Sequence, residues 1–164
     1  SAERPTQTEG AIQRALHADV PRIMAIRHAV RENRLSDPNA VTAADCAAFI
    51  DRAEIWVWVE DGMIQGFSAG DPRNGEIFAL FVDPAHEGRG IGRALIAMAC
   101  AALRAAGHDA ATLSTQPGTR AERFYRANGW TPAGTNHKGE LVFRKSLPPA
   151  LTVSSASANP GAVT

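Results

Sequence analysis

Apolar residues recur along this chain at two periods, and the changes from one to the other mark out its elements. Ala11 to Leu16 reads as a short strand. From about Ala18 to Glu32, Val20, Ile23, Met24, Ile26 and Ala29 or Val30 fall on one face at helical spacing. Pro21 sits in the first turn, where its missing N–H costs little. Asn33 to Asn39 is loop-like in composition, and Thr42 opens a second helix running to about Arg52. Between Ile55 and Val82 the pattern becomes extended. Ile55–Val59 meets Met63–Phe67 across Asp61-Gly62, a dipeptide suited to a tight hairpin, and a turn at 72–75 leads into Glu76–Val82. Asp83-Pro84 ends that strand.

The second half returns to helical spacing. A long helix begins near Gly90, buries Ile91, Ala94, Leu95, Met98 and Ala102, and stops at Gly107. Ala110–Ser114 is a short central strand. Thr119-Arg-Ala-Glu122 predicts a capping box for a helix ending at Gly129, and two last strands flank the turn at His137-Lys-Gly139. The order predicts an α/β fold with a mixed, mostly antiparallel sheet. Residues 1–147 read as one domain. The uncharged, aperiodic stretch 148–164 reads as an apolar tail or linker rich in Ser, Ala and Pro.

Composition narrows the function. The 164 residues carry 17 Lys plus Arg and 17 Asp plus Glu, which argues against a generally basic nucleic-acid binder. The balance hides an asymmetry. Residues 1–87 hold 8 basic and 14 acidic side chains, whereas 88–164 hold 9 and 3, so the second half suits an anionic ligand. Cys46 and Cys100 show no metal-ligand spacing and no disulfide framework, and they read as small buried hydrophobes. No metal is expected. No apolar run approaches the roughly 20 residues that span a bilayer, so the expectation is no membrane contact and a cytoplasmic location.

The sharpest motif is Glu87-Gly-Arg-Gly-Ile-Gly-Arg93, between a strand and a helix start. Alternate glycines let several backbone N–H groups converge on one point, where the helix dipole adds partial positive charge. A pyrophosphate suits such a nest. A Walker A loop would end Gly-Lys-Ser/Thr, but Gly92-Arg93-Ala94 stands here. The dinucleotide fingerprint fails as well, because Arg93 occupies the place of its third glycine.

This segment resembles the signature of the GNAT superfamily of acetyl-coenzyme A dependent N-acetyltransferases, Gln/Arg-x-x-Gly-x-Gly/Ala, here Glu87-x-x-Gly90-x-Gly92 after Leu80-Phe-Val-Asp-Pro84. Phe124-Tyr125-Arg-Ala-Asn-Gly-Trp130 follows in family order, and the likeness covers roughly residues 11–147. It implies a twisted sheet with helices on both faces and acetyl-CoA as co-substrate. It also implies that main-chain groups of Leu80, Phe81 and Val82 serve the pantetheine arm and the acetyl carbonyl. The N–H groups of Gly88, Arg89, Gly90, Ile91, Gly92 and Arg93 would hold the pyrophosphate, with the Arg89 and Arg93 side chains adding charge. Glu87 departs from the family residue, and a carboxylate there is expected to point outward. The family's Asn about seven residues before the tyrosine is Gly118 here, so Thr119 or Ser114 is the expected substitute, with Arg120 near a phosphate.

Acyl transfer to an amine needs a base and a proton for the leaving thiolate. Tyr125, the only tyrosine, occupies the family position of the acid, while Phe124 reads as packing. Glu76 resembles the family's glutamate base, with His28, His86, His137 or ordered water as alternatives. The resemblance implies an acceptor site at the loop 33–40, Trp56 or Trp58, and the turn 134–140. Asp37, Glu32 and Glu54 offer it negative charge, and both tryptophans are expected in the core. The implied reaction is acetylation of a primary amine on a small molecule or peptide. The alternative is a catalytically weak coenzyme A binding or sensing module. The last strands of such folds often pair between subunits, so a homodimer is compatible with this reading.

Overall fold

The computed structural model describes residues 10–31 and 42–148. The elements, in order, are β1 (Ala11–Arg14), α1 (Val20–Arg31), α2 (Ala43–Asp51), β2 (Ile55–Glu60), β3 (Met63–Asp71), β4 (Glu76–Val82), α3 (Ile91–Ala105), β5 (Ala110–Thr115), α4 (Arg120–Ala127), β6 (Thr131–Thr135) and β7 (Leu141–Ser146). Short 3-10 turns at His17–Asp19 and Pro84–His86 complete the described chain. The seven strands form one sheet in the order β1-β2-β3-β4-β5-β7-β6, antiparallel throughout except for the β4–β5 pair. The mixed, mostly antiparallel sheet expected from the sequence is therefore present.

Two cores pack around it. Ile23 and Ile26 of α1 and Cys46 and Ile50 of α2 meet Ile55, Val57 and Val59 of β2 and Phe67 and Phe81 of the next two strands. Ile96, Ala99 and Leu103 of α3 join Leu113, Tyr125, Trp130 and Phe143 in the second. Cys100 is only half-buried, unlike Cys46.

The seating of α3 is written into β3. A Cβ on Gly66 would stand 2.9 Å from the Phe81 carbonyl oxygen and 3.0 Å from Leu95 Cδ1, so only glycine admits the helix at this separation. Two residues on, the fully buried Ser68 hydroxyl donates to the Leu95 carbonyl at 2.9 Å, tying sheet to helix. These small residues blur the alternation of β3, which runs four residues beyond the expected Phe67. Bulges shift the β2–β3 register at Trp58/Val59 and the β3–β4 register at Ala69/Gly70.

Three local expectations are corrected. Trp56 and Trp58 are only half-buried, because β2 turns Ile55, Val57 and Val59 into the core and the tryptophans onto its opposite face. There the Arg14 guanidinium lies 4.2 Å above the Trp56 ring. The capping box at α4 is half formed: Thr119 Oγ1 accepts from Glu122 N, but the Glu122 carboxylate accepts from Gly118 N at 2.7 Å instead of Thr119 N. β1 ends at Arg14, and Leu16 caps the following turn. Among the described residues, no helix is long and apolar enough to cross a membrane.

Candidate active site

The two parallel strands at the centre of the sheet barely touch. β4 and β5 pair at one position, Glu76 opposite Thr112, with Thr112 N donating to Gly75 O at 3.1 Å beside it. Beyond that pair no ladder joins them among the described residues, so the facing edges of the two strands diverge after it. Such edges are open to a ligand that offers amides.

At the open end of this splay lies a cleft of about 550 Å³. Leu80, Phe81 and Val82 form its β4 wall, Gly88, Gly90, Ile91, Gly92 and Arg93 one bank, and Thr119, Arg120, Ala121, Phe124 and Tyr125 the other. Gly88 and Gly90 have φ of +81° and +83°, and a Cβ on either would meet nothing within 4 Å. Gly90 is the N-cap of the fifteen-residue α3 and supplies no side chain to cap it, which leaves the first N–H groups of the helix available to an anion. A larger groove of about 800 Å³ runs along the other flank of α3 and shares Arg93, but it contains neither the glycine loop nor Tyr125.

The arginines divide. Arg93 lines the cleft, and its Nε donates to Asn128 Oδ1 at 3.2 Å. Arg89 does not line it: its guanidinium bonds Glu60 Oε2 at 2.9 Å and His86 Nδ1 at 3.1 Å, on the far side of the loop. The Arg89 side chain, expected beside the anion, is thus held elsewhere by a carboxylate 29 residues upstream. Arg120 is in place but paired, with NH1 2.5 Å from Glu87 Oε1. Glu87 therefore does not point outward as expected: it lines the cleft, one-third exposed.

Tyr125 is 8% exposed and lines the cleft. Its ring is wedged by Phe124 at 5.3 Å and by Trp130 and Phe143 at 5.9 Å each. Burial pushes the phenol up to about 12, so it remains protonated at any neutral pH. Phe124, expected only to pack, lines the cleft as well, and Val30 reaches it from α1. The helical period marks Val30 as apolar, but only the tertiary fold brings it here.

Glu76 stands apart, at the closed end of the splay and outside the lining of the cleft. Its carboxyl is raised above the ordinary value, first by burial, then by the Asp71 and Glu140 charges, with Lys138 opposing. Glu140 and Lys138 belong to the β6–β7 turn, organised by Asn136, whose Oδ1 accepts from both their backbone N–H groups. Of the expected pantetheine substitutes, Thr119 donates its hydroxyl to Gln116 O at 2.8 Å and Ser114 Oγ accepts from Asn136 at 3.4 Å, so both are engaged locally. Among the acidic residues expected to greet an amine, Glu54 is buried and ion-paired to Arg52 at 2.9 Å, while Glu32 and Asp37 lie outside the described residues. Among the described residues no cluster of His, Cys, Asp and Glu could hold a metal ion.

Comparison with known proteins converges on one family. The model described as acetyltransferase (GNAT) domain matches residues 51–132. A 94-residue stretch is 34% identical to a mycothiol acetyltransferase of Beutenbergia cavernae, over 54% of this chain and 32% of that protein, so the match spans about a third of that relative's length. Among solved structures, PaiA N-acetyltransferase from Thermoplasma acidophilum in complex with coenzyme A superposes with a TM-score of 0.73 at 16% identity, covering 85% of this chain and 99% of that one. An N-acetyltransferase from Staphylococcus aureus Mu50 also gives 0.73, at 18% identity, covering 86% and 100%.

Proposed function

This chain belongs to the acetyltransferase (GNAT) family, and on that premise we propose that it transfers an acetyl group from acetyl-coenzyme A to a primary amine by direct attack. The observation that carries the proposal is the junction of an open strand splay with an uncapped, glycine-built helix start inside one cleft. The residues fit the coenzyme. A pyrophosphate is the anion that suits the N–H groups of the loop, and the β4 edge at Leu80–Val82, where it diverges from β5, suits the amides of a pantetheine arm. No side chain obstructs Gly88 or Gly90. Acetyl-coenzyme A, when bound, would supply the activated thioester.

The chain supplies the rest. Backbone N–H groups of Leu80 or Phe81 polarise the carbonyl in a site screened by aromatic side chains. The Tyr125 phenol holds its proton towards the departing sulfur. The nitrogen–carbon bond forms as the carbon–sulfur bond breaks, and the amine proton leaves towards Glu76. Glu76 lies four positions before Leu80, about 13 Å along the strand at the usual rise, so it acts on an amine held beside Leu80 through ordered water. Its neighbours Asp71 and Glu140 add negative potential that favours a cationic amine on that side. A panel of small amines and peptides, assayed by coenzyme A thiol release, tests the proposal. Amine-dependent release supports it. Stoichiometric coenzyme binding without release for any amine would favour a binding or sensing module instead.

A further inference from the structure

We propose that Arg120 is a positioning residue: it holds the Glu87 carboxylate away from the bare N-terminus of α3 and so keeps that anion site open for the pyrophosphate of the coenzyme. The inference rests on the acetyl-coenzyme A reading above and concerns how this chain accommodates an acidic residue within its own cradle.

Glu87 immediately precedes the loop formed by Gly88, Gly90 and Gly92 and lines the same cleft as those glycines. A helix N-terminus without a side-chain cap attracts any carboxylate within reach, since the free N–H groups and the dipole both favour negative charge there. Left alone, Glu87 is an internal competitor for the site, and it also repels a dianionic pyrophosphate. The structure gives it another partner. Arg120, the first residue of α4 on the opposite bank, pairs with Glu87 Oε1 at 2.5 Å across 33 positions of sequence. Glu122, the acidic residue nearest to Arg120 in sequence, does not compete for it, because the Glu122 carboxylate is engaged by Gly118 N and by Arg126 Nε.

The pairing also fixes the charge balance at the cleft. Arg89 is bound to Glu60 on the far side of the loop, and Arg120 is neutralised by Glu87. Arg93 is then the one cation lining the cleft without a carboxylate partner among the described residues. A role for Arg120 as a phosphate ligand and a role as keeper of Glu87 make opposite predictions about Glu87. If Arg120 binds phosphate directly, its removal weakens the coenzyme whatever stands at position 87. If it acts through Glu87, the penalty depends on the carboxylate being there.

A double-mutant cycle read by calorimetric titration with coenzyme A, and separately with inorganic pyrophosphate, decides between them. The expected result is that Arg120→Ala raises Kd at least tenfold, that Glu87→Gln binds as tightly as the parent or more tightly, and that Glu87→Gln/Arg120→Ala stays within about threefold of Glu87→Gln. Arg120→Lys is expected to restore most of the affinity, because it keeps the charge that faces Glu87. Thermal unfolding of each variant separates loss of binding from loss of fold. Equal penalties for Arg120→Ala in the parent and in the Glu87→Gln variant would overturn the inference and assign Arg120 to the phosphate. Failure of the parent itself to bind coenzyme A would overturn the underlying functional reading instead.

Discussion

Replacing Tyr125 with phenylalanine removes one oxygen and leaves the ring. That ring is wedged among Phe124, Trp130 and Phe143, and no protein group among the described residues hydrogen-bonds to the phenol. The substitution therefore orphans no partner, and the penalty of about 1–3 kcal/mol that an unsatisfied buried group brings is absent. Stability should stay close to that of the parent. Activity should not. A positioned general acid contributes about 10²- to 10⁴-fold, but burial pushes this phenol up to about 12, whereas a thiol ordinarily titrates near about 8.5. Complete proton transfer would run uphill by about 3.5 pH units, or about 5 kcal/mol. The phenol then acts as a hydrogen-bond donor to developing negative charge, worth about 1.5–3 kcal/mol. At about 1.36 kcal/mol per decade this is a loss of roughly 10- to 150-fold in kcat. Thiol release with a responsive amine measures kcat, and calorimetry should find the coenzyme Kd within about twofold of the parent. An unchanged kcat would remove Tyr125 from the chemistry, and a loss confined to Kd would make it a binding residue.

Other consequences concern the base and the cradle. Burial and the Asp71 and Glu140 charges raise the Glu76 carboxyl above its ordinary value in the folded chain, so acetyl transfer should fall as pH drops through that raised value, and Glu76→Gln should abolish this acid limb. The same shift means that the folded state binds the extra proton between the ordinary and the raised value, and stability declines as pH rises across that window. Glu76→Gln should accordingly raise the midpoint of thermal unfolding at neutral pH, with no gain below the ordinary carboxylate range. Gly90→Ala meets open space but forces a non-glycine residue to φ +83°, at a cost of about 1–2 kcal/mol in denaturant unfolding. At Gly92 a Cβ would lie 3.6 Å from Val82 Cγ2 and 3.7 Å from Phe124 Cζ, an ordinary contact. Gly92→Ala should thus keep coenzyme affinity by calorimetry, and Gly92→Val, which fills the space between the banks, should lose it. Arg89→Ala should change coenzyme affinity less than about threefold, since that guanidinium already faces Glu60.

What the sequence reveals and what it hides divide along the range of the interactions involved. β4 runs over the expected residues 76–82, and α3 begins after Gly90 as expected, because strand alternation, glycine conformation and helix caps are local properties. The tryptophans of β2 mislead because an alternating strand has two faces. Hydrophobicity alone favours Trp56 and Trp58 for the core, while the packing of α1 and α2 selects Ile55, Val57 and Val59. The charged residues mislead in the same way. Nothing local to Arg89 points to Glu60, or local to Glu87 to Arg120, so the partition of these arginines between cradle and scaffold emerges only when distant strands and helices meet. The cleft itself is half legible. Its glycine loop and tyrosine carry local signals, but the splay depends on β4 and β5 sharing a single paired position, which no one-dimensional pattern encodes.

That splay is the centre of the account, and side-chain substitution cannot probe backbone groups. Hydrogen exchange can. With saturating coenzyme A, amides of 79–93, spanning the β4 edge and the glycine loop, should exchange markedly more slowly, while those at the far end of α3, 100–107, should be unaffected. Protection confined to the groove beside the C-terminal half of α3, with the loop and the β4 edge unchanged, would contradict the placement of the coenzyme and the mechanism built on it.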